Sequence, residues 1–195
     1  MSLPKAFYLR KNVVLIAKEL LGKSLLTCIN GQITGGLIVE TEAYSYRERG
    51  CHAYMGKMTT RNRVMFEEGG VAYVYLCYGI HNLFNVVVNG KDKPEAVLVR
   101  ALQPIQGEDV MKRRMRASSI KRITSGPGKL TKALGIDGSC NGNDLSSSEL
   151  WIEDGVTIRK KEIVSAPRIG IDYAGEDAKL PWRFFIKDNG WVSKM

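Results

Sequence analysis

The dipeptide Asn30-Gly31 stands between two strand-like runs, SLLTCI at residues 24–29 and QITGGLIVETEAY at residues 32–44. Asn-Gly favours a two-residue turn between antiparallel strands, because that turn needs positive φ at both positions and these residue types adopt it at low cost. The dipeptide therefore predicts a β-hairpin, and the fold of this chain has to include an antiparallel pair near its beginning.

Three further strand-like runs indicate that the hairpin belongs to a larger sheet. They follow a polar, glycine-broken segment at residues 45–70 that is too irregular for a regular element. The runs are VAYVYLC at residues 71–77, NLFNVVV at residues 82–88 and EAVLVRALQP at residues 95–104. Together with the hairpin they predict an antiparallel-dominated sheet of about five strands. Short strands are also predicted nearer the C-terminus, at residues 151–155, 156–160, 166–173 and 181–187.

Helical periodicity occurs in the segments 12–22, 107–116 and 126–135. Asn12 is placed to cap the first helix and Gly22 to end it, and Pro127 falls in the first turn of the third. The 195 residues are enough for one hydrophobic core, and no linker divides them. We therefore expect an α+β fold, a single mixed domain over residues 1–195, with a curved, open-barrel-like and antiparallel-dominated sheet and flanking α-helices.

The charge of the chain points to a polyanionic partner. Lys and Arg number 29 against 20 Asp and Glu, a formal net charge of +9. An excess of this size attracts nucleic acids. Part of it lies in MKRRMR at residues 111–116, and SGPGKL at residues 125–130 could present Lys129 to a phosphate. A solvated helix face and a well-made helix start are the ordinary alternatives for these two segments, so neither is included in the predicted site.

Other classes of protein are disfavoured by what the sequence lacks. Nowhere do about eighteen apolar residues run together, and the N-terminus has no signal-peptide pattern, so we expect an intracellular protein without a membrane span. The four cysteines include no CxxC pair. A zinc site from Cys51, His52 and His81 is conceivable, but paired ligands at structural-zinc spacing are missing, and no metal site is predicted.

Isolated polar residues in apolar strands are the first sign of a reaction centre. Arg100 is the only polar residue within VLVRAL, and Asn85 the only one within LFNVVV. Strands of this composition are usually buried on both faces, and a buried guanidinium needs a carboxylate partner. Glu40 and Glu42 share one face of their strand and can supply it, although a solvent-facing sheet surface is the alternative for such a pair. We expect acid, base and amide to meet in a dry pocket.

Aromatic side chains are concentrated near these positions. They are Tyr44, His52, Tyr73, Tyr75 and Tyr78. Tyr73 is expected in the core, whereas Tyr78 precedes Gly79 at a strand end, which places a large ring at an exposed turn. An aromatic pocket, a carboxylate and a basic surface suggest an enzyme that acts on a base extracted from DNA or RNA, because stacking returns about 1 to 3 kcal/mol per base against an extrusion cost of a few kcal/mol.

Five motifs give the chain a resemblance to a known family. The motifs are VETEAY, TTRNRVMF, YVYLCYGIHNLFN, VLVRALQP and SGPGKL. Their order and spacing resemble those of the alkyladenine DNA glycosylases, also called methylpurine or 3-methyladenine DNA glycosylases. The likeness extends from LLGK in the N-terminal helix to RIGIDYAGE and WVS near the C-terminus, so it covers nearly the whole chain.

The resemblance implies a catalytic pair. The family's catalytic glutamate matches Glu42, which would deprotonate a water and aim it at C1′ of a flipped nucleotide. The partner arginine matches Arg100, which would help to hold that water and keep the carboxylate ionised. Glu40 would then be the structural acid of the pair.

Five further residues acquire roles from the same resemblance. The flipped purine would lie between Tyr44 and His52 on one side and Tyr75 on the other. Asn85 would screen purines by crowding the exocyclic amino group of guanine. Tyr78 would wedge into the duplex in place of the extruded base.

The activity implied is that of a monofunctional DNA glycosylase, a monomer without cofactor that excises alkylated or deaminated purines from double-stranded DNA and so starts base excision repair. Its location would be the cytoplasm or nucleoid of a bacterium, or the nucleus of a eukaryote. Two alternatives remain open. A non-catalytic nucleic-acid-binding protein explains the charge and the tyrosines but not a lone acid and base in apolar strands. A glycosylase with lyase activity needs a Schiff-base amine, and no lysine stands in the pocket motifs.

Overall fold

An eight-stranded antiparallel sheet forms the centre of the computed structural model, which describes residues 1–193. The strands are β1 Ser24–Ile29, β2 Gln32–Ser45, β3 Ala72–Cys77, β4 His81–Val88, β5 Glu95–Gln106, β6 Leu150–Glu153, β7 Ile163–Ala166 and β8 Arg183–Ile186. The main path runs β3-β4-β5-β2-β1-β6, and β8 pairs with β2 and β7. The two ends of the path do not meet, so the predicted open, antiparallel α+β architecture is confirmed.

The hairpin at Asn30-Gly31 forms as predicted. Ile29 pairs with Gln32, and Asn30 and Gly31 have φ of 53° and 72°, as a two-residue turn requires. Along β2, strand β1 pairs with residues 32–37 and strand β8 pairs with residues 40–42. Because β5 lines the other edge of β2, the strand segment that carries the two glutamates is paired on both sides.

Four α-helices lie in the described part of the chain: α1 Lys5–Tyr8, α2 Val13–Glu19, α3 Glu108–Met115 and α4 Pro127–Leu134. The Asn12 side chain caps α2 as predicted, by accepting a hydrogen bond from the Leu15 N–H. This helix ends before the predicted stop at Gly22. Helices of the 3₁₀ type occur at Tyr54–Gly56, Arg63–Phe66, Gly138–Cys140, Lys160–Glu162 and Asp172–Lys179. No helix within residues 1–193 combines the length and apolar character needed to cross a bilayer.

Two of the strands predicted nearer the C-terminus are wrong. Residues 156–160 form none, because the Val156 N–H turns back to the carbonyl of Gly22 and a 3₁₀ helix begins at Lys160. Residues 166–173 hold only the last residue of β7, since Gly170 has φ of 77° and another 3₁₀ helix follows. The first three residues of β7, 163–165, lie where no strand was predicted.

The two faces of β3, β4 and β5 pack against different layers. Since neighbouring strand residues point to opposite faces, Val86 and Val88 join one core while Val87 joins another. The larger core includes buried residues of α2 and α4. The smaller one lies under the irregular segment 45–70, which contributes Met65 and Phe66. This segment therefore builds a second layer over the sheet, and the predicted aromatic residues lie beside it.

Candidate active site

Arg100 occupies a bulge in β5 that directs its side chain at both glutamates. Thr41 pairs with Val99 and Glu40 with Ala101, so Arg100 has no partner residue on β2. Bulges of this kind re-aim a side chain. The Arg100 Nε donates to Oε1 of Glu40 at 3.1 Å, and its Nη1 lies 3.3 Å from Oε1 of Glu42. The predicted partnership between this arginine and a carboxylate is confirmed.

Both carboxylates are fully buried. Because no water reaches them, they need the charged guanidinium of Arg100 as a partner. Burial alone opposes the charge of Arg100, but the nearby charges of Glu42 and Glu40 hold its pKa above the ordinary value. A buried ion pair is stable only when the remaining polar atoms also have partners. The partners of the two acids differ, and so do their surroundings.

Glu40 is held by structural contacts alone. Its Oε1 accepts hydrogen bonds from Arg183 Nη1 at 3.1 Å and Ser193 Oγ at 2.9 Å, and its Oε2 accepts from the Ser193 N–H at 2.7 Å. With Arg100, these donors account for both oxygens of the carboxylate. The contacts fasten the strand β8 and the segment after it to β2.

Glu42 has fewer donors and lies next to the aromatic residues. Its Oε1 accepts from the Ile169 N–H at 2.8 Å, and its Oε2 accepts from the Tyr44 hydroxyl at 2.8 Å. Burial, and then the charge of Glu42, raise the pKa of Tyr44 well above its ordinary value, so this hydroxyl keeps its proton and donates. Because a carboxylate oxygen has two acceptor sites, Oε2 has one that takes no hydrogen bond from residues 1–193.

The rings of His52 and Tyr75 contact each other and together form one aromatic wall of the cleft. Their ring centroids are 4.6 Å apart at an interplanar angle of 69°, which is direct edge-to-face contact. The expected arrangement placed these two rings on opposite faces of a base, and the structure instead brings them together. Tyr73 lies behind them, buried as predicted, and its hydroxyl is 2.9 Å from Nδ1 of His52.

The His52 ring is neutral over most of the pH range. Its partial burial, and second the charge of Arg61, lower the pKa of His52 to about 4. Arg61 itself lies with its guanidinium carbon 4.8 Å from the centre of the Tyr75 ring. Neutral His52 carries one donor and one acceptor nitrogen, so the nitrogen not facing Tyr73 can exchange a hydrogen bond with a ligand.

Asn85 presents one polar group to the same space. Its Nδ2 donates to the carbonyl of Tyr73 at 3.1 Å, across the β3–β4 pair. Its Oδ1 takes no hydrogen bond from residues 1–193. An amide held in this way is fixed in orientation, because turning it would break the bond to Tyr73.

A cleft of about 580 Å³ opens beside these groups, a volume typical of small-molecule sites. Six of the predicted site residues line it: Tyr44, His52, Tyr75, Tyr78, Asn85 and Arg100. Glu42 does not line the cleft. Its carboxylate lies behind Tyr44, Arg100 and Ile169, which separate it from the cleft. The structure thus brings six predicted residues to one surface and places the seventh in contact with two of them.

Tyr78 stands at the mouth of the cleft, on the turn between β3 and β4. It is 88% exposed and has φ of 50°, and Gly79 follows with φ of 72°. The prediction of an exposed ring at this turn is confirmed. Ile80 is also exposed, so the tip of the hairpin presents two apolar side chains to solvent.

Arg168 is a component that the sequence did not single out. It is buried, and its two Nη atoms donate to the two oxygens of Glu48, each at 2.7 Å. Its Nη1 also donates to the carbonyl of Ala43 at 3.0 Å, and its guanidinium lies 4.8 Å from the centre of the Tyr44 ring. Because Glu48 and Arg168 are 120 residues apart, no local pattern could have joined them.

The basic cluster MKRRMR lies apart from this site. It falls on α3, where Met111 is buried and Arg114 Nη1 donates to Thr34 Oγ1 at 3.1 Å and to the Ala133 carbonyl at 3.2 Å. None of its residues lines the cleft in the part of the chain that the structure describes. At least one of its arginines therefore has a structural role.

Comparisons with known proteins show which family and which relatives the chain is similar to. The family model described as methylpurine-DNA glycosylase (MPG) matches residues 6–190. A protein of Methanocella arvoryzae is 48% identical over 195 residues, 98% of this chain and 96% of its own. One of Carboxydothermus hydrogenoformans is 47% identical over 195 residues and all of both chains, and one of Chlamydia abortus is 46% identical over 190 residues, 94% of this chain and 97% of its own. Each of the three is named "Putative 3-methyladenine DNA glycosylase".

Proposed function

Because the chain belongs to the methylpurine-DNA glycosylase family, we propose that it flips damaged purines of the 3-methyladenine type out of double-stranded DNA and hydrolyses their N-glycosidic bond with a water activated by Glu42. The observation that carries the proposal is the buried pair of Glu42 and Arg100 directly behind a cleft walled by aromatic rings. A polar reaction centre of this kind has no purpose in a protein that only binds a phosphate backbone.

Entry of a base into the cleft begins at Tyr78. Removing a base from the stack costs a few kcal/mol, and a side chain that fills the gap offsets part of this cost. Tyr78 is an exposed ring at the tip of a hairpin and next to the cleft, the position such a wedge requires. The strand with the lesion then delivers its extruded base to the rings inside.

The purine stacks between Tyr44 and the wall formed by His52 and Tyr75. Stacking on aromatic side chains contributes about 1 to 3 kcal/mol per base. Tyr44 suits one face because Arg168 supports its ring and Glu42 holds its hydroxyl. This arrangement differs from a base inserted between His52 and Tyr75, which their direct contact disfavours.

Hydrolysis then needs a water beside Glu42. As the N-glycosidic bond breaks, its electron pair leaves with the base and positive charge develops on the sugar, which an anionic Glu42 stabilises. The water oxygen bonds to C1′ and its proton passes to Glu42. Because Tyr44 covers Glu42, this step requires a small displacement of Tyr44 that opens the remaining acceptor site on Oε2.

Substrate choice follows from the leaving group and from Asn85. An alkylated purine carries positive charge and becomes neutral when it takes the electron pair, so it leaves readily. Deaminated purines such as hypoxanthine are neutral and depend more on contacts in the cleft. The fixed amide of Asn85 lines the cleft, and we expect it to crowd the exocyclic amino group of guanine and so to disfavour that base.

Monofunctional hydrolysis is proposed over a combined glycosylase and lyase. The structure gives one reason to test this point, because Lys129 lines the cleft. Borohydride reduction on lesion-containing DNA traps a lysine that forms a Schiff base. We expect no trapped complex; a complex that forms with the unmodified chain and not with Lys129→Ala would overturn monofunctionality. The protein acts as a monomer on cellular DNA, in one glycosylase domain.

The central test is Glu42→Gln. We expect the single-turnover rate of base release from duplexes with 7-methylguanine, hypoxanthine or ethenoadenine to fall by about 10²- to 10⁴-fold, the usual contribution of a general base. Affinity for the same duplexes is expected to persist, since the cleft remains. Glu149→Gln, at an exposed glutamate, is the matched control. Rapid release by Glu42→Gln would refute the assignment, and unchanged DNA binding without release by the unmodified chain would favour a non-catalytic binder.

A further inference from the structure

The start of α4 forms one side of the cleft. Five consecutive residues line it, Ser125 to Lys129, and we refer to them as the α4 entry segment. Ser125 forms a bridge with Ala101, the neighbour of Arg100. At the other end of the segment, Gly128 lies so close to His81 that an added Cβ would be 2.8 Å from its ring. The segment therefore connects the surroundings of Arg100 with the hairpin that carries Tyr78.

The backbone of this segment has an unused hydrogen-bond donor. Gly126 is the N-cap of α4 and supplies no side-chain cap, and Pro127 has no N–H. The N–H groups of Lys129 and Leu130 both donate to the carbonyl of Gly126. The N–H of Gly128 donates to no acceptor within residues 1–193, whereas the N–H of Gly126 faces the carbonyl of Arg100 across the bridge between Ala101 and Ser125. A helix start with a free N–H group attracts anions, because the helix dipole adds to its partial positive charge.

The Ser125 side chain is a second and independent observation. The residue is only 7% exposed, and its hydroxyl has no hydrogen-bond partner in the described chain. Unpaired buried hydroxyls are uncommon and call for an explanation. Because a serine hydroxyl moves between staggered positions about one bond, a ligand oxygen in the cleft can provide the missing partner.

Conformation and charge suit the same ligand. Gly126 has φ of 132°, which favours glycine, and there is open space where its Cβ would point. A ligand can therefore approach the backbone closely. Lys129 is exposed and forms no ion pair with residues 1–193. A free N–H group, an unpaired hydroxyl and a free ammonium are the donor set that a phosphate group uses.

We propose that the α4 entry segment binds a phosphate of the DNA strand that carries the flipped nucleotide. The inference rests on the proposed function, since that nucleotide has to enter the cleft. The N–H of Gly128, the Ser125 hydroxyl and the Lys129 ammonium are the donors. The phosphates flank the sugar, so a phosphate held here fixes the distance between C1′ and the side chains that cover Glu42.

The test pairs a change in the protein with a change in a single phosphate. Duplexes carry one lesion and one uncharged methylphosphonate at each flanking linkage in turn. For the unmodified chain, we expect one linkage at which the substitution weakens lesion binding on the order of tenfold, the effect of losing hydrogen bonds to a charged group. In Lys129→Ala and Ser125→Ala the same substitution should have little further effect.

The control is Lys132→Ala, a lysine on the same helix that does not line the cleft. It should leave the methylphosphonate effect unchanged. If the methylphosphonate weakens binding by the same factor in Lys129→Ala and in Ser125→Ala as in the unmodified chain, at every linkage, the phosphate site is overturned. The phosphate site is tested by binding alone, and the proposed function is tested by base release from the duplex with all phosphates intact. A chain that releases the base but shows no linkage-specific effect on binding would therefore contradict only the phosphate site.

Discussion

The hydroxyl of Tyr44 donates a 2.8 Å hydrogen bond to the carboxylate of Glu42, two residues earlier on the same strand. One side chain therefore serves two parts of the site. Its ring lines the cleft, and the hydrogen bond from its hydroxyl offsets part of the free-energy cost of burying the carboxylate. In the proposed function, stacking on the base and the hydrogen bonding of the acid would therefore be coupled through this residue.

Two substitutions separate the parts played by Tyr44. Tyr44→Phe keeps the ring and removes the donor, so we expect the free energy of unfolding to fall by about 1–3 kcal/mol while lesion affinity changes little. Tyr44→Ala removes the ring as well, and lesion affinity should fall about tenfold or more, in line with the loss of one stacking partner. Urea unfolding and equilibrium binding to lesion duplexes measure the two effects. Equal lesion affinity for all three chains would show that Tyr44 does not contact the base.

Arg100 compensates two buried carboxylates at once. We expect Arg100→Gln to lower the free energy of unfolding by about 3–5 kcal/mol, because it leaves buried charge without its partner. Adding Glu40→Gln removes one of the stranded charges and should restore part of that loss. Denaturant titrations of the single and double variants decide the point. A double variant as unstable as the sum of the two single variants would mean that the residues are not coupled.

His52 should titrate far below the ordinary histidine range. The chain has two histidines, so NMR titration of the unmodified protein and of His81→Gln identifies the His52 resonance. We expect a midpoint near pH 4, since burial and the charge of Arg61 lower the pKa of His52 to about 4. Arg61→Gln removes the second cause and should move the midpoint upward. A midpoint near 6.5 in the unmodified protein would contradict the lowered pKa of His52.

The same shift makes stability depend on pH in a defined direction. The native pKa of His52, about 4, lies below the ordinary value of 6.5, so the unfolded chain binds the proton more tightly. The contribution of His52 is fully present above about pH 6.5 and is lost as the pH falls toward 4. His52→Gln should therefore flatten the acid limb of the stability curve measured by urea unfolding. An unchanged acid limb would exclude this residue as its source.

The sequence predicted the elements and partnerships that follow from a strong local pattern or an unavoidable physical need. Asn30-Gly31 fixed the first hairpin, and a guanidinium in an apolar strand had to find an acid wherever the strands met. It could not predict that Arg100 would reach both glutamates, because that depends on a bulge between Val99 and Ala101. Bulges change the register by one residue and leave no clear mark in the hydrophobic pattern.

Contacts between distant segments were also beyond a local pattern. The segment around Arg168 was predicted as a short strand, APRIGIDY, yet it bends and presents the Ile169 N–H to Glu42. Its conformation is set by the buried contact between Arg168 and Glu48, which no pattern of neighbouring residues reveals. The same holds for the hydrogen bond between Tyr73 and His52.

Arg168 is expected to be a positioning residue for the reaction. It connects three parts of the site, since it bonds to Glu48 in the segment before His52, lies against the Tyr44 ring and precedes the Ile169 N–H that donates to Glu42. Arg168→Gln breaks the ion pair and should slow base release at saturating DNA by one to two orders of magnitude, the usual effect of misplaced catalytic groups. Arg168→Lys keeps the charge but not the two-pronged contact, so its rate should be intermediate.

The control for Arg168 has to separate positioning from stability. Breaking a buried pair costs about 3–5 kcal/mol, so both variants are also expected to be less stable. Met111→Ala removes a buried side chain from α3, away from the cleft, and should destabilise the chain by about 2–5 kcal/mol. At a temperature where all the chains are folded, Met111→Ala should release the base at the unmodified rate. If it slows release as much as Arg168→Gln does, the effect of Arg168 is only structural. If Met111→Ala releases the base at the normal rate while Arg168→Gln is slow and keeps its lesion affinity, the loss lies in the chemical step proposed for Glu42.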